Sequence, residues 1–442
     1  AELRGRDISL GSKEETVLDC DFDLSGLPDI MNSFIYLGVH QLKSSAEDIK
    51  DIRVPGGKAL RLPDYFERLG KISFNGSFTG FTTDFVAYGK LESEAGNLNT
   101  DVSFRPEGKN QFKIKGLITG NGINLGEITG NSDLLGDLSI KTDVDMHACS
   151  FKTFSGEING LIDSVEINHY KYRNISLNGI INDKTWDGSI KIADENIRLD
   201  MLGMMNFNRE LPEFDFTLNL VKADLFRLHL DKSDSTSAAS MLLTANFRGK
   251  IDENLVGEVK LLNSSLRKYG NTLDMYDFSL RSFMDNNQPS VSLRTDYVDA
   301  DLKGRFNPAG LMSFIASAKA GLMPSRYVRP ELQSPFVTDT LVFAVNFKQT
   351  DNINNFFRTG LLLADKSTIT GEIVADTAAH AILLSDKLVF RGNTFSDLAV
   401  DLDYSRFLLG AGLRSSSLNF LGHSDLEDFS ADFTVKPDNF IF

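Results

Sequence analysis

The sequence predicts a mainly β chain of antiparallel sheet, built from degenerate repeats and broken by a few short amphipathic helices; alternation by itself leaves open whether the sheet packs as a β-sandwich or barrel core or forms an elongated, curled sheet with an open groove. Three observations predict it. Apolar and polar residues alternate in segment after segment, Gly, Asn and Asp turn signals punctuate the chain, and one strand–turn–strand grammar recurs along its 442 residues. Alternation with period two places every second side chain on one face of a strand, one face dry and the other wet.

In chain order, residues 27–48 are expected to form an amphipathic helix with Ile30, Phe34 and Leu37 on one face. The pairs Asn75-Gly76, Asn159-Gly160 and Asn178-Gly179 are expected to be hairpin turns. Strands follow with Ile190 and Ile192, then Ile197, Leu199 and Met201, then Phe214, Phe216, Leu218 and Leu220 as their apolar members. One helical turn is expected at 223–228, and the Ser/Asp-rich stretch 233–239 is the expected linker. Beyond it the alternation resumes with Phe278 and Leu280, with Val291 and Leu293, and with Leu341, Phe343, Val345 and Phe347. It returns in Leu398, Val400, Leu402 and Tyr404, and in Phe429, Ala431, Phe433 and Val435. Helices are expected at 309–322, stopped by Pro324, and at 351–364, with Asp351 as N-cap and Ile353, Phe356, Phe357 and Leu361 toward the sheet. The expected organisation is a first run of β-repeats over 1–232 and a second over 240–442.

The repeats are degenerate. Residues 175–205, 243–306 and 398–422 each run strand, Gly/Asp/Asn turn, strand, ending in a polar-flanked glycine. One supersecondary unit stacked many times marks a quasi-one-dimensional assembly.

Composition narrows the function. Net charge is −15, and no Lys/Arg cluster offsets it, so nucleic-acid binding is not expected. The two cysteines form neither a CxxC nor a zinc spacing. The apolar run Leu361–Ala364 is far shorter than the roughly 20 residues needed to cross a bilayer. Residues 1–25 lack the apolar stretch of a secretory signal, and the chain is expected to be an internal piece of a longer protein. Apolar residues are 41% of the chain, with 33 Phe against one Trp. If the sheet curls into a wide trough, so large an apolar face implies a ligand or partner. Phe covers such an interior economically. Lipid chains suit it, since each buried methylene contributes about 0.8 kcal/mol without any polar contact.

Two segments carry a resemblance. Tyr170 to Leu228, with Tyr170-Lys171-Tyr172-Arg173-Asn174-Ile175-Ser176-Leu177-Asn178-Gly179, Trp186-Asp187-Gly188 and Asp194 to Asp200, resembles TamB-family proteins of the Bacteroidota. So does Phe74 to Gly80 followed by Tyr88-Gly89-Lys90-Leu91. The resemblance rests on strand grammar over essentially the whole chain, not on a catalytic motif. It implies a β-taco groove of the AsmA-like, bridge-type lipid-transfer group, lying in the periplasm and carrying phospholipid between inner and outer membranes. It also implies an inner-membrane anchor and an Omp85-type (TamA-like) outer-membrane barrel as partner, both contacted through regions outside this sequence. The alternative expectation is a scaffold for assembly of outer-membrane β-barrels. Phospholipid acyl chains are the expected ligand, lying against Ile190, Ile192, Ile197, Leu199, Met201, Phe214, Phe216, Leu218, Leu220, Phe278, Leu280, Leu341, Phe343, Val345 and Phe347. No enzymatic activity, cofactor or metal is expected.

Other constellations carry less. Asp143, Asp145, His147 and Cys149 alternate along one strand, but ligands in an extended row do not converge on one ion. The glycines of 120–126 lack the Lys-Ser/Thr of a phosphate loop and are expected to form a β-turn with no helix after it. His40, His169, His229, His380 and His423 have no triad companions. Glu427/Asp428 reads as solvated charge. The helices at 27–48 and 351–364 lack the basic faces of membrane-surface helices and are expected to cover sheet edges. A carbohydrate-binding solenoid would want aromatic platforms, against which the single Trp argues.

Overall fold

A computed structural model describes the chain except residues 1, 12–15, 28–32, 46–67, 82–83, 109–110, 151–152, 209, 251–254, 308–309, 329–335, 338, 421 and 423. Among the described residues the fold is mainly β, with 26 antiparallel strands and few short helices, and it is not closed into a barrel. Contacts divide the chain into two units, residues 1–206 with 220–235, and residues 207–219 with 236–442.

The first unit is a meander. Its strands are β1 (Glu2–Gly11), β2 (Val17–Ser25), β3 (Phe34–Ser45), β4 (Lys71–Phe81), β5 (Asp84–Ser93), β6 (Gly96–Gly108) and β7 (Gln111–Asn124). After the one-turn helix α1 (Leu125–Thr129) come β8 (Leu135–Ser150), β9 (Thr153–Ile167), β10 (Tyr170–Asn182), β11 (Thr185–Ala193) and β12 (Ile197–Asn206). Each strand pairs antiparallel with the next. β13 (Glu213–Asp224) contributes its residues to 219 to the second unit and the rest to the first.

The second unit continues with β14 (Ala238–Arg248), β15 (Val256–Lys268), β16 (Asn271–Asp285), β17 (Gln288–Thr295), β18 (Val298–Lys303), helix α2 (Leu311–Leu322) and β19 (Thr340–Phe347). Helix α3 (Asp351–Phe357) and β20 (Leu361–Leu363) precede β21 (Thr368–Val374), β22 (Ala378–Phe390), β23 (Asn393–Ser405), β24 (Leu408–Phe420), β25 (Ser424–Lys436) and β26 (Asn439–Ile441). Neighbours again pair in sequence, except that β19 pairs β21 while β20 pairs the far end of β22.

Several expectations are corrected. Residues 34–45 of the expected 27–48 helix are strand β3; Ile30 lies outside the described residues. A bulge at His40 shifts the register between Val39 and Leu42, so the inward residues fall at 35, 37, 39 and 42. That spacing imitates a helical stripe, while β-branched and aromatic residues favour the strand. Phe34 and Leu37 consequently lie on opposite faces, Phe34 exposed. The Asn-Gly pairs are not turns but lie inside β4, β9 and β10. The tight turns use Asn168-His169 and Asn286-Asn287, all four with positive φ, as a two-residue I′ hairpin requires.

The 309–322 helix is α2. The 351–364 helix ends at Phe357, where Arg358 and Gly360 turn left-handed, and residues 361–363 are a strand. Thr350, not Asp351, is the N-cap residue. Adjacent Phe356 and Phe357 cannot share a helix face, and Phe357 is 60% exposed while Phe356 is buried. Residues 120–124 are the end of β7 and not a β-turn, and a short helix, α1, starts at Leu125 and includes Gly126, capped by Asn124, which accepts the Glu127 N–H at 2.9 Å. The helical turn expected at 223–228 is instead a hydrogen-bonded turn at 225–229, since Ala223 and Asp224 end strand β13, and within 233–239 Asp234 and Ser237 are buried.

Candidate apolar face and cationic cavity

Register decides which residues share a face, because directly opposed residues in an antiparallel pair point the same way. Starting at Leu18 in the first unit, successive partners are Leu42, Phe74, Leu91, Leu98, Gly120, Ile140, Ile162, Ile175, Ile192 and Leu199. The next row runs Cys20, Val39, Gly76, Gly89, Thr100, Ile118, Thr142, Gly160, Leu177, Ile190 and Met201. A further row runs Leu24, Ile35, Gly80, Phe85, Phe104, Ile114, Met146, Gly156, Ile181, Trp186 and Met205. No charge interrupts any of them. Phe78, Phe85, Phe104 and Phe112 stack along this face with centroids 4.4, 4.8 and 4.6 Å apart.

The in-strand glycines have a packing reason. A Cβ at Gly89 would stand 2.5 Å from the Phe74 ring, and one at Gly179 would stand 2.8 Å from Trp186. The aromatic rings lie flat over these gaps, which is the close approach that an in-strand glycine signals.

The second unit carries the same construction. Its longest row runs Ala245, Val259, Leu280, Leu293, Ala300, Val345, Ile369, Leu383, Val400, Leu413 and Ala431. A parallel row includes Val291, Leu302, Phe343, Gly371, Ala381, Leu402, Ala411 and Phe433. Two helices lie against this face. α2 places Phe314 on Phe336, with Leu302, Leu341 and Ile373 in the same cluster, and α3 places Phe356 and Ile353 against Leu266, Leu273 and Tyr297. The middle stays accessible: Leu280 is 39% and Leu402 36% exposed.

The expected lining residues all fall on the apolar side of their strands. Ile190, Ile192, Leu199 and Met201 belong to the first unit's rows, with Ile197 buried beside them. Phe214, Phe216 and Leu218 are half-buried, Leu220 is buried, and Asp215, Thr217 and Asn219 between them are exposed. Phe214 stacks on Phe247 at 4.9 Å. Phe278 opposes Leu261, and Phe347 opposes Val298; Leu341, Phe343 and Val345 oppose Ile373, Gly371 and Ile369.

The wet faces carry ordinary charge pairing. Asp145 is held by Lys113 at 2.7 Å and Lys115 at 3.1 Å, and the Lys113 hydrogen bond holds its carboxyl below the usual range. His147 pairs with Glu107. The Cys149 side chain and His423 lie outside the described residues. His40 meets Asp21 at 3.3 Å. His380, Asp401 and Asp403 bring their donor atoms within 4.8 Å of one another on the outer side of β22 and β23. The hydrogen bond that the His380 ring donates to the Asp403 carboxylate, at 2.9 Å, raises the His380 pKa.

Sequence reasoning missed a second feature. His169 and His229 line one cavity of about 800 Å³ in the first unit, with Tyr170, Asn196, Phe226, Arg227 and Lys232. The hairpin turn supplies His169, and the 225–229 turn supplies Arg227 and His229; both histidines hold positive φ. Below them Asp194 is buried, accepting from the Tyr170 hydroxyl, from Arg173 N at 3.1 Å and from Asn196 N at 2.8 Å. Burial first, and the Asp194 hydrogen bond second, push the Tyr170 pKa up to about 12. Positions distant in sequence build this site, so no local motif announces it.

No helix among the described residues is long and apolar enough to cross a membrane. Comparisons with protein families, with curated proteins and with solved structures found no match.

Proposed function

We propose that the chain is a segment of a lipid conduit, in which the uncharged faces of the two units receive phospholipid acyl chains during transport between bacterial membranes. The observation that carries this reading is the run of apolar cross-strand rows from β2 to β12, in which no charged residue interrupts the path. A surface of that kind holds hydrocarbon by area alone, and one methylene is worth the same, about 0.8 kcal/mol, at each step. The binding energy is therefore nearly level along a row, which suits sliding better than capture. The resemblance to TamB-family proteins supports the same reading and adds the periplasm as its place.

The single Trp186 provides the test, since it stands in a row between Ile181 and Met205. Phospholipid brominated on its acyl chains should quench Trp186 fluorescence, whereas the unbrominated lipid should not. Equal emission with the two lipids, at concentrations where the chain retains lipid through gel filtration, would reject the conduit.

A further inference from the structure

We propose that the cavity between the β9–β10 hairpin turn and the 225–229 turn binds a phosphate-bearing anion, which on the conduit reading is the headgroup of a phospholipid. The claim rests on that reading only for the source of the phosphate. The cavity measures about 800 Å³, and its titratable lining is His169, Tyr170, Arg227, His229 and Lys232, with no carboxylate. In a chain of net charge −15, a wall with four cationic or protonatable groups and no acid is a selective feature.

The groups are free to turn to a ligand. Lys232 has no carboxylate partner among the described residues, and Arg227 reaches only Asp224, at 3.6 Å. The Asn168 carbonyl can only accept, so the His229 Nδ1 at 3.2 Å donates to it and fixes the ring at the cavity wall. Tyr170 and Asn196 are instead committed to Asp194 and to each other, at 3.0 Å. They form the wall, and the cations do the binding. Arg and Lys at one phosphate supply a fork and a point charge.

Position ties the cavity to the apolar face. Tyr170 lines it and also contacts Tyr172, ring to ring at 4.7 Å, on the side that continues into Ile175. A headgroup in the cavity would leave its acyl chains facing Tyr172 and Ile175.

Calorimetric titration of the full chain with inorganic phosphate, dihexanoyl phosphatidic acid and dihexanoylglycerol tests this. The phosphatidic acid should bind about tenfold or more tightly than the glyceride. Arg227→Ala with Lys232→Ala should erase that advantage and leave glyceride binding intact. Lys184→Ala with Lys191→Ala, which removes equal charge elsewhere in the unit, should preserve it. An advantage that survives the Arg227/Lys232 change, or never exists, overturns the site. Inorganic phosphate binding as tightly as phosphatidic acid upholds an anion site but overturns its assignment to a lipid. Loss of Trp186 quenching with the anion site intact would instead strike the conduit alone.

Discussion

Asp194 illustrates how one buried polar residue fixes a corner of a sheet. Its carboxylate gathers the Tyr170 hydroxyl and the backbone N–H groups of Arg173 and Asn196, so three donors lose their acceptor together if it is removed. Asp194→Ala should destabilise the first unit by about 2–3 kcal/mol, measured by urea unfolding. Tyr170 adds a pH signature. Its folded pKa of about 12 lies above the ordinary 10.0, so the folded state holds the phenolic proton where the unfolded state has released it. That stabilisation is complete below pH 10, and is lost as pH rises from about 10 toward 12. Stability followed by urea midpoint should fall across that window, and Tyr170→Phe should flatten the fall. Asp194 was legible as an acidic residue in a turn, but Tyr170 and Arg173 were not legible as its partners, because they stand more than twenty residues away on β10.

At the scale of elements, a single left-handed residue repeatedly lets a long strand keep one dry face. In β10, Tyr170 and Tyr172 point inward before Asn174, and Ile175 and Leu177 point inward after it; Asn174 has φ 53°. Asp397 does the same in β23, between Phe395 and Leu398. Asn and Asp tolerate this conformation better than other side chains. The same shift of parity defeats simple pattern reading, and the bulge at His40 in β3 is the clearest case. α3 depends on a different device. Thr350 is buried, and its hydroxyl donates to the Leu363 carbonyl at 2.8 Å and accepts the Leu363 N–H at 3.0 Å. Thr350→Val keeps the shape and strips both bonds, so it should cost about 1–3 kcal/mol in the second unit's thermal or urea unfolding. Unchanged stability in Thr350→Val would show that the strand, not the hydroxyl, holds the helix in place.

For the molecule as a whole, the informative contrast is between the two sides of each strand. Leu280 lies in the second unit's longest row and is 39% exposed, so a charge there need not disrupt packing. Leu280→Glu should shift stability by less than about 1 kcal/mol while sharply reducing lipid co-purified with the chain, read by native mass spectrometry. Photo-crosslinkers at Phe216 and Thr217 give the complementary test, since the first is half-buried on the dry side and the second exposed on the wet side. Lipid should be captured from Phe216 alone; equal capture from both would contradict the assignment of faces.

The sequence by itself determined the class of fold and the dry side of most strands, because period-two alternation is a local property that each strand carries in its own residues. It also located α2. Tertiary structure alone decided three things: that the Asn-Gly pairs lie within strands, that residues 34–45 extend rather than coil, and that the two histidine-bearing turns close on one cavity. Each of these depends on what a neighbouring strand presents, a ring over a glycine, a bulge in the register or a carboxylate beneath two turns, and no residue encodes its neighbour across a sheet.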